Sequence, residues 1–198
     1  MLPVTLAAQS DYLRHNFTFG AGVAQPRGEL RGLFVDRPGI SFGYGYRFSR
    51  YFQFDAGFET VFGAAEVHDY LNTGLGPLRI RDRQFLVPVG GRAILPLAAG
   101  RLLISGGGGG AYLRYSELLR QPGDYFHIDC PVCSSRDGWA YYGLAEISVA
   151  VDRGQHFRVG AVTKVYRGHT EGDPLAAVPG VRTRDHWINT YGQFGFSF

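Results

Sequence analysis

The stretch with the most chemistry in its spacing is "HIDCPVC", residues 127 to 133, which sets His127, Cys130 and Cys133 close together. One imidazole and two thiols are part of a metal site, but a closed zinc site takes four ligands and usually draws on a second pair. The chain has only 2 cysteines, so no second pair exists. In an oxidising compartment Cys130 and Cys133 close a small-ring disulfide, and the metal reading with His127 is the secondary one. Redox exchange and a bridge between two chains remain open uses of the same spacing. Ser134 follows the second cysteine where haem attachment requires His. The glycine run in "SGGGGGAYLRY", residues 105 to 115, lacks the Lys and Ser or Thr of a phosphate loop and opens no helix. Close strand approach or bending explains it better. His15, His68, His156, His169 and His186 are scattered, and no serine, histidine and acid set assembles from sequence order. The expectation is therefore no catalytic residue and no cofactor.

A second group is ionic: Arg47, Asp55, Glu59, Arg92, Glu146, Arg158 and Lys164. Such a set can line a channel, act as acid and base, or pack as ion pairs. The elements that carry it decide among these. Eight segments show period-two alternation: residues 15 to 24, 39 to 48, 51 to 62, 83 to 97, 101 to 115, 139 to 151, 156 to 166 and 187 to 198. Their length suits tilted strands crossing a hydrocarbon layer, whereas no apolar run approaches the roughly 20 residues of a membrane helix. Connections after the second, fourth and sixth segments are tight. The others, residues 25 to 38, 63 to 82, 116 to 138 and 167 to 186, are long and rich in Gly, Pro, Asp and Arg. In an up-and-down antiparallel meander that alternation gathers the long links at one end and the short turns at the other.

Within each segment the alternation separates two faces. One carries Phe17, Phe19, Phe42, Phe52, Phe54, Phe58, Phe157, Val159, Phe194, Phe196 and Phe198; the other carries the seven ionic residues with Asn16, Gln53, Asn189, Gln193 and many glycines. An outer wall of bare glycine would be a poor solvated surface. We therefore expect the polar face inside, where the ions pair, and the rings outside. Two segments blur this: the fourth is apolar on both faces through Leu86, Pro88 and Ile94, and the five-glycine run hides the parity of the fifth. Tyr44, Tyr46, Tyr51, Tyr112, Tyr115, Tyr141, Tyr142, Trp139 and Trp187 fall near strand ends, as suits the two water and lipid boundaries. Eight strands leave a lumen that side chains fill, which favours packed ion pairs over a channel.

Glycine at 29 of 198 residues, aromatics at 15% and charged residues at 19% exclude a disordered or coiled-coil chain. The net charge of +3 comes from scattered arginines, so nucleic acid is not an expected partner. Residues 1 to 12 read as an N-terminal segment in which "LAAQ" is a candidate signal-peptide remnant, and residues 13 to 198 as a single barrel domain.

Strand count, link alternation and the terminal "YGQFGFSF" resemble the small eight-stranded outer-membrane barrels, OmpA-like and OmpX-like. The resemblance spans about Leu13 to Phe198. It implies an all-β, eight-stranded antiparallel up-and-down transmembrane barrel with short periplasmic turns and four long extracellular loops, in the outer membrane of a diderm bacterium. It also implies that Phe194, Phe196 and Phe198 are read by the barrel-insertion machinery and that export uses a cleavable signal. Outer-membrane lipid is then the surrounding partner, with a surface partner or a second copy engaged through the loops. The expected function is a non-enzymatic, porin-like barrel with a filled lumen whose loops serve anchoring, adhesion, assembly or partner binding. A lipid-modifying enzyme, a narrow pore and a soluble ligand-binding barrel are the alternatives.

Overall fold

The computed structural model describes residues 12–32, 34–63, 70–73, 76–120, 134–174 and 182–198. Eight long strands form the wall: β1 (His15–Pro26), β2 (Arg37–Arg47), β3 (Phe52–Phe62), β5 (Gly76–Leu97), β6 (Leu102–Arg120), β7 (Ser135–Ala150), β8 (Phe157–Gly172) and β9 (Thr183–Ser197). A short β4 (Tyr70–Thr73) extends the edge of β5 beyond it. Every pairing is antiparallel, and the order β3-β2-β1-β9-β8-β7-β6-β5 returns to β3 through a β3–β5 ladder. The wall is closed, so it has no edge with unpaired amides to expose to lipid.

The register fixes the shape. A row of partners followed from Trp187 through Tyr166, Tyr142, Gly109, Gly90, Asp55, Gly45 and Asn16 arrives at Ser197, ten residues along the strand where it began. A closed sheet with that stagger must tilt its strands across the barrel axis. The seam is made by the terminal aromatic strand: Phe17 pairs with Phe196 and Phe19 with Phe194. The Phe198 amide donates to the His15 carbonyl, and the His15 amide donates back, each at 2.9 Å.

Side-chain direction follows the alternation. Phe19, Phe42 and Phe54 are 47%, 47% and 48% exposed, whereas Glu59 is fully buried. The rings form an outward belt and the polar set turns inward. The two blurred strands resolve as well: Leu86 and Ile94 face inward as apolar filler, and Ser105 places the odd-numbered residues of the glycine run on the inner face.

Two expectations need correction. Much of the sequence assigned to long loops is strand. β5 starts at Gly76 inside the second long link, β6 runs to Arg120 and β7 starts at Ser135 within the third, and β8 reaches Gly172 while β9 starts at Thr183 within the fourth. Above the lipid both faces of the sheet are polar, so backbone pairing continues after the hydrophobic alternation that signals it has ended. The second correction concerns the aromatic boundary set. Trp139, Tyr141 and Tyr51 are exposed on the outer surface, but Trp187, Tyr115 and Tyr142 are buried inside, because they share inward parity with Asn189, Leu113 and Leu144.

The short turns close by local chemistry. Between β5 and β6, Ala98, Ala99 and Gly100 all take positive φ, which only the glycine adopts without steric cost. Between β7 and β8 the Asp152 carboxylate accepts the amides of Phe157 at 2.9 Å and His156 at 3.1 Å. Those bonds hold its pKa below the ordinary aspartate value.

The glycine run makes a testable contrast. A Cβ at Gly107 would overlap the Gly91 carbonyl oxygen and sit 2.6 Å from the Arg92 Cα, whereas a Cβ at Gly110 meets nothing within 4 Å. Gly107→Ala is expected to destabilise the barrel by about 1–3 kcal/mol, the usual cost of overpacking, and Gly110→Ala to be close to neutral. Urea unfolding in lipid vesicles distinguishes the two.

Candidate functional site

The inward polar side chains are the natural candidate site, and they lie in tiers along the barrel axis. The middle tier is organised by Glu59 of β3. Its carboxylate is wholly removed from solvent, a state tolerated only when the charge is paired and every lone pair engaged. Oε1 accepts from Lys164 Nζ at 2.5 Å and from the Tyr166 hydroxyl at 2.9 Å, both on β8. Oε2 accepts from Asn189 Nδ2 at 2.8 Å and the Tyr191 hydroxyl at 2.9 Å, both on β9. Because i and i+2 share a face, Lys164 with Tyr166, and Asn189 with Tyr191, each present two donors from one strand to the same carboxylate.

Toward the short-turn end, Arg92 of β5 bridges two acids. Its Nε donates to Asp55 Oδ2 at 2.6 Å, and its Nη1 donates to the Glu146 carboxylate. Gln53 donates to Asp55 at 2.6 Å; Asn16 donates to Gln53 at 3.2 Å, and Ser197 to Asn16 at 2.7 Å. Hydrogen bonds thus run from β5 across β3 and β1 to the last strand.

Toward the opposite end lies a tier made largely by the strand extensions. Asp185 accepts from Thr170 at 2.7 Å, Thr183 at 2.8 Å and the Tyr115 hydroxyl at 3.1 Å, while Tyr115 accepts from Trp187 Nε1 at 2.8 Å and Gln84 at 3.2 Å. Arg136 is buried there and donates to the Thr170 carbonyl at 2.9 Å and the Thr183 hydroxyl at 3.0 Å. The link after β1 then caps this tier. Leu30, in a 3₁₀ turn over Gly28–Gly32, is buried, and the Phe34 ring stacks on Tyr115 at 5.7 Å with Trp187 beside it.

The seven ionic residues expected to form one network therefore separate. Asp55, Arg92 and Glu146 meet in one tier, and Glu59 meets Lys164 in the next. Arg47 and Arg158 join neither; they sit at the short-turn end, where their described hydrogen bonds go to carbonyl oxygens and Gln155. The donors to Glu59 other than Lys164 and Asn189, and all of the Asp185 tier, escaped the sequence reading. Parity gave a signal for Tyr166 and Tyr191, which lie two residues from Lys164 and Asn189. Arg136, Thr170, Thr183 and Asp185 sat in segments assigned to loops and carried none.

Among the described residues no group of histidine, cysteine and acidic side chains is arranged to hold a metal. His127, Cys130 and Cys133 lie outside the described residues. His15 bonds the Tyr44 hydroxyl at 2.8 Å and His156 the Ser197 carbonyl at 2.9 Å, contacts that set no serine hydroxyl beside a base.

No family model matches the sequence, and no curated protein is recognisably similar to it. Solved structures do match the fold. Neisserial surface protein A aligns over 93% of this chain and 97% of its own, with a TM-score of 0.54 at 10% identity. OprG from Pseudomonas aeruginosa, an outer membrane protein, aligns over 96% and 99%, with a TM-score of 0.53 at 13% identity. Ail, the attachment invasion locus protein of Yersinia pestis, covers 91% and 98% with a TM-score of 0.49 at 11% identity. The fold is that of the small eight-stranded outer-membrane barrels.

The Glu59 tier generates a double-mutant test. Lys164→Met leaves a buried carboxylate without its counter-charge and is expected to cost about 3–5 kcal/mol. Adding Glu59→Gln removes that charge as well, so the double variant should be less destabilised than the sum of the two singles. Equilibrium unfolding of the four proteins in lipid vesicles closes the cycle.

Proposed function

We propose that the protein is a non-enzymatic outer-membrane barrel whose lumen is shut by its own side chains and whose work is done by the surface beyond the outer leaflet. The observation that carries this is the Glu59 cluster, which joins opposite walls by direct hydrogen bonds with no gap for a hydrated solute. The space left between the central tiers supports it: pockets there measure about 30 and 40 Å3, room for single waters. A second barrier stands in series, because Phe34 and Leu30 cover the Asp185 tier.

The surface in question is largely basic and aromatic, with Glu29 as an acidic member of its lining. On the outer face above the belt, β8 and β9 pair Arg167 with His186 and His169 with Arg184, with Trp139 of β7 alongside His169. An open cleft of about 920 Å3 runs over these residues and Tyr141. Neither Arg167 nor Arg184 forms an ion pair among the described residues. Unpaired guanidinium groups just above a lipid-facing wall, next to amphipathic rings, suit the phosphates of outer-leaflet headgroups. Anchoring in that leaflet is the role this favours, with adhesion or assembly through the long connections built upon it. Phe194, Phe196 and Phe198 remain the proposed signal for insertion.

Planar-bilayer recording of the purified barrel tests the closed lumen. The expected result is a folded protein, shown by a heat-dependent gel shift, that gives no stable conductance steps. Regular single-channel openings would replace this reading with a pore, and turnover of a phospholipid by the same preparation would replace it with an enzyme.

A further inference from the structure

The buried charges of the Glu59 and Arg92 tiers come with ion-pair partners, and the two arginines at the short-turn end do not. Arg47 and Arg158 are 6% and 8% exposed, yet neither forms an ion pair among the described residues. Arg47 donates through Nη2 to the Arg50 carbonyl at 2.8 Å, the Tyr12 ring lies 5.3 Å from its guanidinium carbon, and its Nε is buried with no hydrogen-bond partner. Arg158 donates through Nη2 to the Gly100 carbonyl at 2.8 Å and to Gln155 Oε1 at 3.2 Å. Both line a cavity of about 190 Å3 at the short-turn end, together with Arg50, Gln155 and Ser197, and among the described residues its lining includes no aspartate or glutamate.

The charge balance of this half of the lumen locates the deficit. Asp55 and Glu146 are its inward carboxylates in the neighbouring tier, and Arg92 contacts both. Arg47 and Arg158 add two positive charges to that cluster, so its inward side chains carry one more cation than anion; Asp152 of the β7–β8 turn also acts on Arg158, but its carboxylate oxygens already accept the Phe157 and His156 amides. A buried guanidinium cannot shed its proton to relieve the cost, since its pKa lies far above neutrality. Its planar fork is shaped for two parallel hydrogen bonds to an oxyanion. The cavity has room for a tetrahedral oxyanion and several waters, each water taking roughly 30 Å3 of liquid volume.

We propose that this pocket is an anion site, in which Arg47 and Arg158 clamp a small oxyanion of phosphate size that enters from the short-turn, periplasmic side. Nothing in the closed-lumen reading requires it, and it stands or falls separately.

The test uses the full chain in a non-ionic detergent, titrated with inorganic phosphate against chloride at matched ionic strength, with thermal unfolding and calorimetry as readouts. A saturable rise in unfolding midpoint that is lost in Arg47→Gln and Arg158→Gln, and kept in Arg114→Gln at an exposed position away from both surfaces, supports the site. Because either lumen arginine variant can misfold, Gln155→Glu provides an independent check. It places a carboxylate of nearly the same shape beside Arg158, and should raise the midpoint without phosphate while weakening phosphate binding about tenfold or more. No saturable response in the parent chain overturns the proposal. So does a response that Arg47→Gln, Arg158→Gln and Gln155→Glu all leave intact, which would reduce the effect to an adventitious ion only.

Discussion

A carboxylate that reaches no water must be given a charge and enough donors inside the protein, and the construction of this barrel follows from meeting that demand at Glu59. The donors come from Lys164 and Tyr166 on β8 and from Asn189 and Tyr191 on β9, while Glu59 sits on β3. In the strand order β3 lies three places from β9 and four from β8, on the far side of the eight-stranded wall. These bonds exist only when the sheet has curled round and closed. The neighbouring ladders can form in an open sheet; the Glu59 contacts cannot. A single buried charge thereby ties local strand pairing to global closure, which is a specificity role and need not be a large net gain in stability.

The glycines and the outer rings are two answers to the same geometry. With the register displaced by ten residues round the wall, strands coil tightly, and inward positions at Gly107 and Gly109 lie against neighbouring backbone with no space for a side chain. Removing Cβ atoms there lets long side chains from elsewhere, Arg92 and Tyr142 among them, occupy the interior. On the outside, lipid gives rings no hydrophobic reason to associate with each other, so the belt of Phe17, Phe19, Phe42 and Phe54 sets depth in the membrane and leaves interior contacts to fix the register. Aromatic neighbours on adjacent strands, such as Phe19 with Phe42 at 5.1 Å and Phe157 with Phe196 at 5.2 Å, add ordinary cross-strand packing.

The wall was legible in the sequence because hydrophobic alternation is a direct record of the lipid slab, and it reads well wherever one face meets lipid, as along Phe52, Phe54 and Phe58. It falls silent where the slab ends. Thr170, Thr183 and Asp185 look like loop residues because nothing about them alternates with an apolar partner, although they stand on paired strands. Ring residues failed for a related reason. Trp187 and Tyr115 have the amphipathic character of a boundary ring, and only strand parity says that their polar atoms face each other inside. The ionic set was recognisable as inward but not as separate tiers, since partner choice depends on shear, a property of the closed register that no single segment contains.

Shear also explains why the tiers differ in kind. The stagger brings β5, β3 and β7 together at the Arg92 tier, where two acids and one arginine hold each other, and it leaves Arg47 and Arg158 past the last acidic side chain of the lumen. At the other end β8 and β9 run on beyond the aromatic belt and close over with threonine hydroxyls, a tryptophan and, from the link after β1, the Phe34 ring. The interior therefore mixes polar tiers with apolar filler and is electrically uneven, neutral where Glu59 meets Lys164 and positive at the short turns. If the lumen is closed as proposed, that positive mouth would not serve conduction through the barrel. It would face the compartment on its own side, and the two ends of the molecule would meet their surroundings as separate surfaces.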